Sequence, residues 1–355
     1  MGSATARVVD GDGSGVAALT GVREVAEAVE PRESVEPRES VEPRESVEPG
    51  ESVQLAGSAE LAVSTEPVAR DLLGLRVDVL GGRGELPIAG PLRNTNGTLW
   101  GGAGLAAAIA VGEQVLERPA LWATLQYISP LRVGERLDLV VEPGRRGRGM
   151  SQAVIRGTVD GRLAVIATGT FGGRGAGPLG EAQAPADGDG EPRLVAPPAG
   201  VHPPEHGAVR PLPAHRPAAE GMHGRVEQRW AFPAPRSDRA DGQQDQAGDG
   251  HSALWLRLRE PMPVTAVTLA VLADFAPVAV SVALGRATYV SSLDNSIRLA
   301  RALPAGPVGG WVLIDVRVEA FVRGVAQLAA RLFDEDGRLL ATAGQSAALR
   351  IPSQG

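Results

Sequence analysis

One carboxylate stands out for where it sits. Asp274 interrupts an otherwise apolar run, residues 264–284, whose length and composition predict a helix buried nearly all round. A carboxylate there is costly to desolvate unless it is paired or hydrogen-bonded. It is therefore either a functional acid or base, or a structural acid satisfied by neighbouring donors, and the local sequence fits both. Other chemistries are removed by absence. The chain has no cysteine, and no lysine among its 35 Lys and Arg residues. That excludes thiolate nucleophiles, disulfides, Cys-based zinc and iron–sulfur sites, a phosphate-loop lysine and Schiff-base catalysis. The five histidines (His202, His206, His215, His223 and His251) fall mostly among prolines in the middle of the chain. No fixed Ser-His-Asp set and no metal site is expected from them.

The elements that must position Asp274 come from a duplication. Gly149-x-x-Gln152 followed by Asp160-Gly161-Arg162-Leu163 recurs as Gly324-x-x-Gln327 followed by Asp336-Gly337-Arg338-Leu339. In both copies the flanks read as strands joined by an Asp-Gly hairpin turn. In the first copy, strands are expected at 74–79 and 84–88, a helix over 99–116, then strands at 121–128, 136–142, 151–159 and 162–171. In the second, strands at 224–231 and 253–260 precede a helix over 264–284 interrupted by Pro277. Strands at 287–293, 295–301, 311–321, 325–334 and 338–349 follow. Each copy is thus one buried helix against an antiparallel sheet, an α+β plan. Joining the two sheets edge to edge would hide strands that otherwise invite aggregation.

Outside the copies the composition changes. Residues 30–53 repeat Glu-Pro-Arg-Glu-Ser-Val, with eight glutamates against three arginines, which carries −5 of the chain's formal −7. A proline in every sixth position blocks helix and central strand, so residues 1–71 are expected to be a disordered tail. Residues 174–222 read as a Pro/Gly-rich linker between a first domain at 72–173 and a second at 223–355. The near-neutral remainder carries no basic stripe for nucleic acid. No uninterrupted apolar run is of membrane-spanning length and no signal pattern opens the chain, so a soluble, cytoplasmic protein without membrane insertion is expected. Only 3% of residues are aromatic, so the cores must be built from Ala, Val, Leu and Ile.

Two further sets of residues carry a resemblance. Asn94 and Gly97, followed by Trp100-Gly101-Gly102 at the start of the first helix, resemble the single-hotdog thioesterases related to phenylacetate-pathway enzymes. That family has a histidine where Trp100 stands and an acid where this chain has Ala108-Ile109-Ala110, so the first copy has lost its proton-handling residues. The second copy, through Leu272-Ala273-Asp274-Phe275, Ser291-Ser292-Leu293-Asp294 and Gly344-Gln345-Ser346, is similar to the C-terminal half of the acyl-CoA thioesterase II family. That family places an Asp on the helix, a Thr or Ser at the following strand and a Gln on the last strand. At the position matching Gln345 the first copy has Gly169. The family usually has a histidine where this chain has Asn295, and aromatics beyond it.

The resemblance implies a tandem (double) hotdog fold and a hydrolase that cleaves acyl-CoA thioesters with water, without metal or bound cofactor. Asp274 would be the general base, with Ser292 and Gln345 orienting the water. The amides of Gly101 and Gly102 would face the oxyanion or substrate. On the residues alone, Ser292 fits a strand hydroxyl bonded to backbone, Gln345 a solvent-facing residue, and the two glycines a tight helix contact. Trp100 either shapes an acyl tunnel or caps the core. Arg145, Arg146 and Arg148 form a basic turn, either solvated or meeting coenzyme A phosphates. An acyl-CoA is the implied partner, and homo-oligomers are compatible with the resemblance. Asn295 and the missing aromatics also suit a hotdog protein that binds acyl-CoA or a related lipid without turnover. A hotdog hydratase fits less well, because no histidine falls on either helix.

Overall fold

The two apolar stretches form the helices at the centre of a computed structural model, which describes residues 65–173, 195–212, 220–234, 248–286 and 288–350. The hexapeptide repeats lie outside the described residues, as does most of the tail and linker. The chain begins with helix α1 (Thr65–Leu73), strands β1 (Arg76–Asp78) and β2 (Arg83–Pro87), and helix α2 (Gly101–Leu116). Strands β3 (Ala120–Tyr127), β4 (Arg136–Arg146), β5 (Met150–Val159) and β6 (Arg162–Gly172) complete the first copy. The second opens with helix α3 (Met222–Arg225) and strands β7 (Val226–Trp230) and β8 (His251–Leu258). Helices α4 (Ala266–Ala273) and α5 (Val278–Leu284) follow, then β9 (Tyr289–Ser292), β10 (Asp294–Leu299), β11 (Val312–Val322), β12 (Val325–Phe333) and β13 (Leu339–Arg350).

Among the described residues these strands make one sheet, ordered β1-β2-β4-β5-β6-β3-β10-β13-β12-β11-β8-β7, with β9 on β13. The copies do join edge to edge: β3 pairs antiparallel with β10, from Asp294 opposite Gln126 to Arg298 opposite Trp122. α2 touches each strand from β1 to β6 and also β10, while α4 packs on α2, β10 and β12. Side chains of both copies share a continuous apolar core. Ala266–Leu284 is long and apolar enough to cross a membrane by composition alone, but 72% of it is buried inside the protein.

The second helix is two helices. A capping box between Thr265 and Thr268 starts α4, which stops at Asp274 (φ −74°, ψ 6°), and Pro277 precedes α5. Proline lacks the N–H that a continuous helix needs but suits the start of a new one. The break therefore begins at Asp274 rather than at Pro277. It leaves Asp274 as the cap residue at the end of α4, not in a helix interior.

Three expectations are corrected. Residues 65–71 are not tail but most of α1, which buries Val68, Ala69, Leu72 and Leu73; their i, i+4 spacing gives a short helix one apolar face. Part of the expected linker is built into the fold. Val195 and Val201 pack beside Trp255 and Trp311 on the outer face of β8 and β11, and Val209 bridges Arg229 on β7. The two Asp-Gly turns also differ. Asp160 (φ 48°) and Gly161 (φ 76°) make a two-residue hairpin, as expected. At Asp336-Gly337 the Asp334 carboxylate accepts from the Arg338 amide at 2.8 Å and opens the connection to five residues.

The corresponding place in the first copy is packed shut. The Phe171 ring, fully buried, lies against Gly112 of α2 and Gly169 of β6. A Cβ on Gly112 would sit 2.3 Å from that ring, so the absence of a side chain there makes room for it. Phe171→Ala should destabilise the protein by about 3–5 kcal/mol, read from the denaturant midpoint. A loss below about 1 kcal/mol would mean that the ring does not fill this space.

Candidate active site

Asp274 is placed where the end of α4 meets the start of α2. It is 6% exposed, yet each carboxylate oxygen has donors. Oδ2 accepts from the Gly102 amide at 2.9 Å. Oδ1 accepts from Gln345 Nε2 at 2.8 Å, Asn295 Nδ2 at 3.1 Å and Ser292 Oγ at 3.3 Å. The carboxylate thus faces the negative end of its own helix and the positive end of the other. Burial raises its pKa and the four hydrogen bonds pull it back, leaving it at about 6. The group is therefore ionised at neutral pH and close enough to neutrality to take up a proton.

Gln345 is buried on β13 rather than solvent-facing. Its Nε2 also donates to Ser292 Oγ at 2.7 Å. The opposite amide orientation would turn a carbonyl oxygen toward a carboxylate, so the network fixes the assignment. Gln345 Oε1 is then left buried without a hydrogen-bond partner among the described residues. Gln345 borders a cavity between α4 and the sheet, lined also by Ala270, Ala273, Ala330 and Ala343 among others, with free space for about one water molecule. Ser292 bonds side chains rather than backbone, giving its proton to Asp274.

The two glycines divide. A Cβ on Gly102 would lie 2.4 Å from Ala270 O, so only glycine lets the helices approach this closely. Its amide is committed to Asp274. The Gly101 amide, first in the helix, makes no hydrogen bond among the described residues, as expected at a helix start. Trp100 is a structural contact: its Nε1 donates to Val271 O at 2.9 Å and its ring packs on Phe275 and His223. The turn bearing Arg145, Arg146 and Arg148 lies at the other end of α2, where Arg146 reaches Val115 O. That is roughly 20 Å along the helix from Gly101.

Two of the histidines stand in regular elements rather than among the prolines. His223 is half-buried in α3, and desolvation first, then the Arg210 charge, pushes its pKa to about 4, keeping it neutral. His251 on β8 lies 2.6 Å from Asp315 on the outer sheet face. Neither is hydrogen-bonded to Asp274 or Ser292. Among the described residues no group of His, Asp and Glu is arranged to hold a metal.

Two residues at the site were not proposed for it from sequence. Asn295, read as a departure from the family pattern, donates directly to the carboxylate. Tyr127, on β3 of the first copy, accepts from Asn295 Nδ2 at 3.1 Å. Its only sequence signal is scarcity, since the chain has 2 tyrosines.

Residues 89–172 match the acyl-CoA thioesterase N-terminal domain, and residues 203–349 the acyl-CoA thioesterase C-terminal domain. The chain belongs to the acyl-CoA thioesterase family. It is similar to a thioesterase-like protein from Novosphingobium aromaticivorans at 31% identity and TM-score 0.63, over 76% of this chain and 96% of that one. A hot dog fold protein from Alicyclobacillus acidocaldarius is 21% identical, with TM-score 0.64 over 80% of this chain and 98% of the other. Acyl-CoA thioesterase II from Mycobacterium marinum is 18% identical, with TM-score 0.56 over 81% and 99%. No curated protein sequence matches the chain. The fold is a tandem hotdog, and the family's chemistry is hydrolysis of thioesters.

The close approach of the two helices makes a direct prediction. Gly102→Ala should cost about 1–3 kcal/mol of stability by denaturant midpoint, because its Cβ meets backbone. Gly104→Ala, whose Cβ would come no closer than 3.5 Å to a neighbouring atom, should be nearly neutral or stabilising. Equal effects would contradict the packing described.

Proposed function

We propose that the protein hydrolyses acyl-CoA thioesters to a free acid and coenzyme A, with Asp274 as general base. The observation that carries this is Gln345, which donates to the buried, ionised Asp274 through Nε2, borders space for one water and has an Oε1 without a hydrogen-bond partner among the described residues. On this reading a water there gives one hydrogen bond to Gln345 Oε1 and moves to Asp274, which Gln345 holds through Nε2, when it attacks. Ser292 and Asn295 then act on the carboxylate rather than on the water.

The chemistry follows from that placement. Asp274 takes a proton as the water oxygen attacks the thioester carbonyl carbon. Negative charge develops on the carbonyl oxygen, and the free Gly101 amide at the positive end of α2 is the donor suited to it. Collapse breaks the carbon–sulfur bond, and the protonated Asp274 returns its proton to the departing thiolate. A thiol is the weaker acid, with a pKa of about 8.5, so this return is downhill. Ser292 is unsuited as a nucleophile, since no histidine is hydrogen-bonded to it among the described residues to activate it. No step needs a metal or bound cofactor. We take both copies, 72–173 and 223–355, as one functional unit, with Gly101 and Gly102 from the first and Asp274, Ser292 and Gln345 from the second. With its apolar helix enclosed by the sheet, we read the protein as soluble and cytoplasmic.

Release of free coenzyme A from short-, medium- and long-chain acyl-CoAs tests the reading. Asp274→Ala and Gln345→Ala should each lower kcat by about 10²-fold or more. No release from any chain length by the wild type would leave the protein a binder of acyl-CoA without turnover. The pH profile gives a second test. The base must be ionised, so kcat should rise through pH of about 6 and level off above it. A profile flat from pH 4 to 8 would exclude Asp274 as the base.

A further inference from the structure

The peptide between Gly101 and Gly102 is gripped on both sides. Its N–H donates to Asp274 Oδ2 at 2.9 Å, and its carbonyl accepts from the Tyr127 hydroxyl at 2.5 Å. Asn295 closes the figure, with Nδ2 donating to the Tyr127 oxygen and to Asp274 Oδ1, each at 3.1 Å. The result is a closed ring of hydrogen bonds through a carboxylate, a peptide group, a phenol and a carboxamide. The directions are consistent all the way round. The amide nitrogen has two protons and uses both, and the phenol's single proton goes to the carbonyl. Reversing Asn295 would set its oxygen against the carboxylate, so the ring has one workable arrangement.

A peptide whose carbonyl accepts a strong hydrogen bond becomes a better donor at its N–H, because the two dipoles polarise each other. In a buried site this effect is not screened by water. We propose that Tyr127 is a positioning residue for the hydrolysis: by donating to the Gly101 carbonyl it strengthens the Gly102 amide's hold on Asp274, and through Asn295 it fixes how the carboxylate is turned. This rests on reading Asp274 as the base. It assigns a residue of the first copy control over a base supplied by the second, at the point where β3 joins β10.

The surroundings suit such a role. Burial, then the Asp274 charge, keeps Tyr127 well above its usual pKa, so the phenol remains a donor throughout the working range. Asp274 is faced by Gly102 from α2, Ser292 from β9, Asn295 from β10 and Gln345 from β13, none of which titrates. The titratable groups nearby are Tyr127 on β3, Asp294 on β10, whose charge is felt by Tyr127, and His223 on α3, which packs on Phe275 and is neutral. A shift in the Asp274 titration on altering Tyr127 is therefore assignable to the ring.

The test titrates the Asp274 carboxyl carbon by 13C NMR in the full chain labelled with 13C-aspartate, its signal identified by its loss in Asp274→Asn. Tyr127→Phe and Asn295→Ser interrupt the ring at different members. In each, the Asp274 midpoint should rise by about half to one unit, because the ionised form loses hydrogen-bond support. The acidic limb of kcat should move with it, while KM changes by less than about twofold. An unmoved Asp274 midpoint in folded Tyr127→Phe overturns the proposal; if that variant does not fold, the same outcome in Asn295→Ser does so. The NMR titration reads Asp274 whether or not thioesters are cleaved. Absence of turnover would therefore sink the base assignment and leave this measurement standing.

Discussion

The structure is organised around keeping one charge in a place that disfavours it. A carboxylate enclosed by apolar side chains would ordinarily stay protonated at neutral pH. Here four donors, from α2, β9, β10 and β13, bring Asp274 back to a pKa of about 6. No single copy of the repeat supplies them all. The Gly102 amide belongs to the first copy, and the three side-chain donors to the second. Anything that separates α2 from α4, or β3 from β10, removes support from the charge.

That dependence gives the duplication a physical consequence. Two related units joined edge to edge have two equivalent places where the mouth of one helix could meet an acid of the other. One is retained. At the other, the acid position reads Ala108-Ile109-Ala110, the glutamine position is Gly169, and Phe171 fills the space beside Gly112. The first copy is still more than a scaffold, since it lends the second an oriented peptide and the phenol behind it. Glycine matters at this contact for a steric reason: a methyl group on Gly102 would meet the backbone of α4.

Much of this was legible in the sequence, and the gaps have causes. Helices and strands followed from apolar period and length, and Asp274 from a charge breaking an apolar run. Gln345 and Ser292 carried no local signal and were reached only by resemblance. Asn295 was read as a loss, because replacing an imidazole with an amide removes proton transfer. Its role as a donor to Asp274 depends on the β3–β10 junction, which no local pattern encodes. Tyr127 is hidden for the same reason. Helix α1 was missed because the repeats before it set the expectation for the whole tail, although Val68 with Leu72 and Ala69 with Leu73 mark one apolar face. His223 and His251 were dismissed on the prolines around His202, His206 and His215, yet each stands in a regular element.

The central claim is that Asp274 acts through water rather than attacking the thioester itself. A single turnover in water enriched in oxygen-18, with enzyme in excess over acyl-CoA, separates the two directly. The account predicts one labelled oxygen in the released acid on the first turnover and none in the Asp274 carboxylate. Label appearing in Asp274, with unlabelled oxygen passing to the acid, would show a covalent anhydride and contradict it.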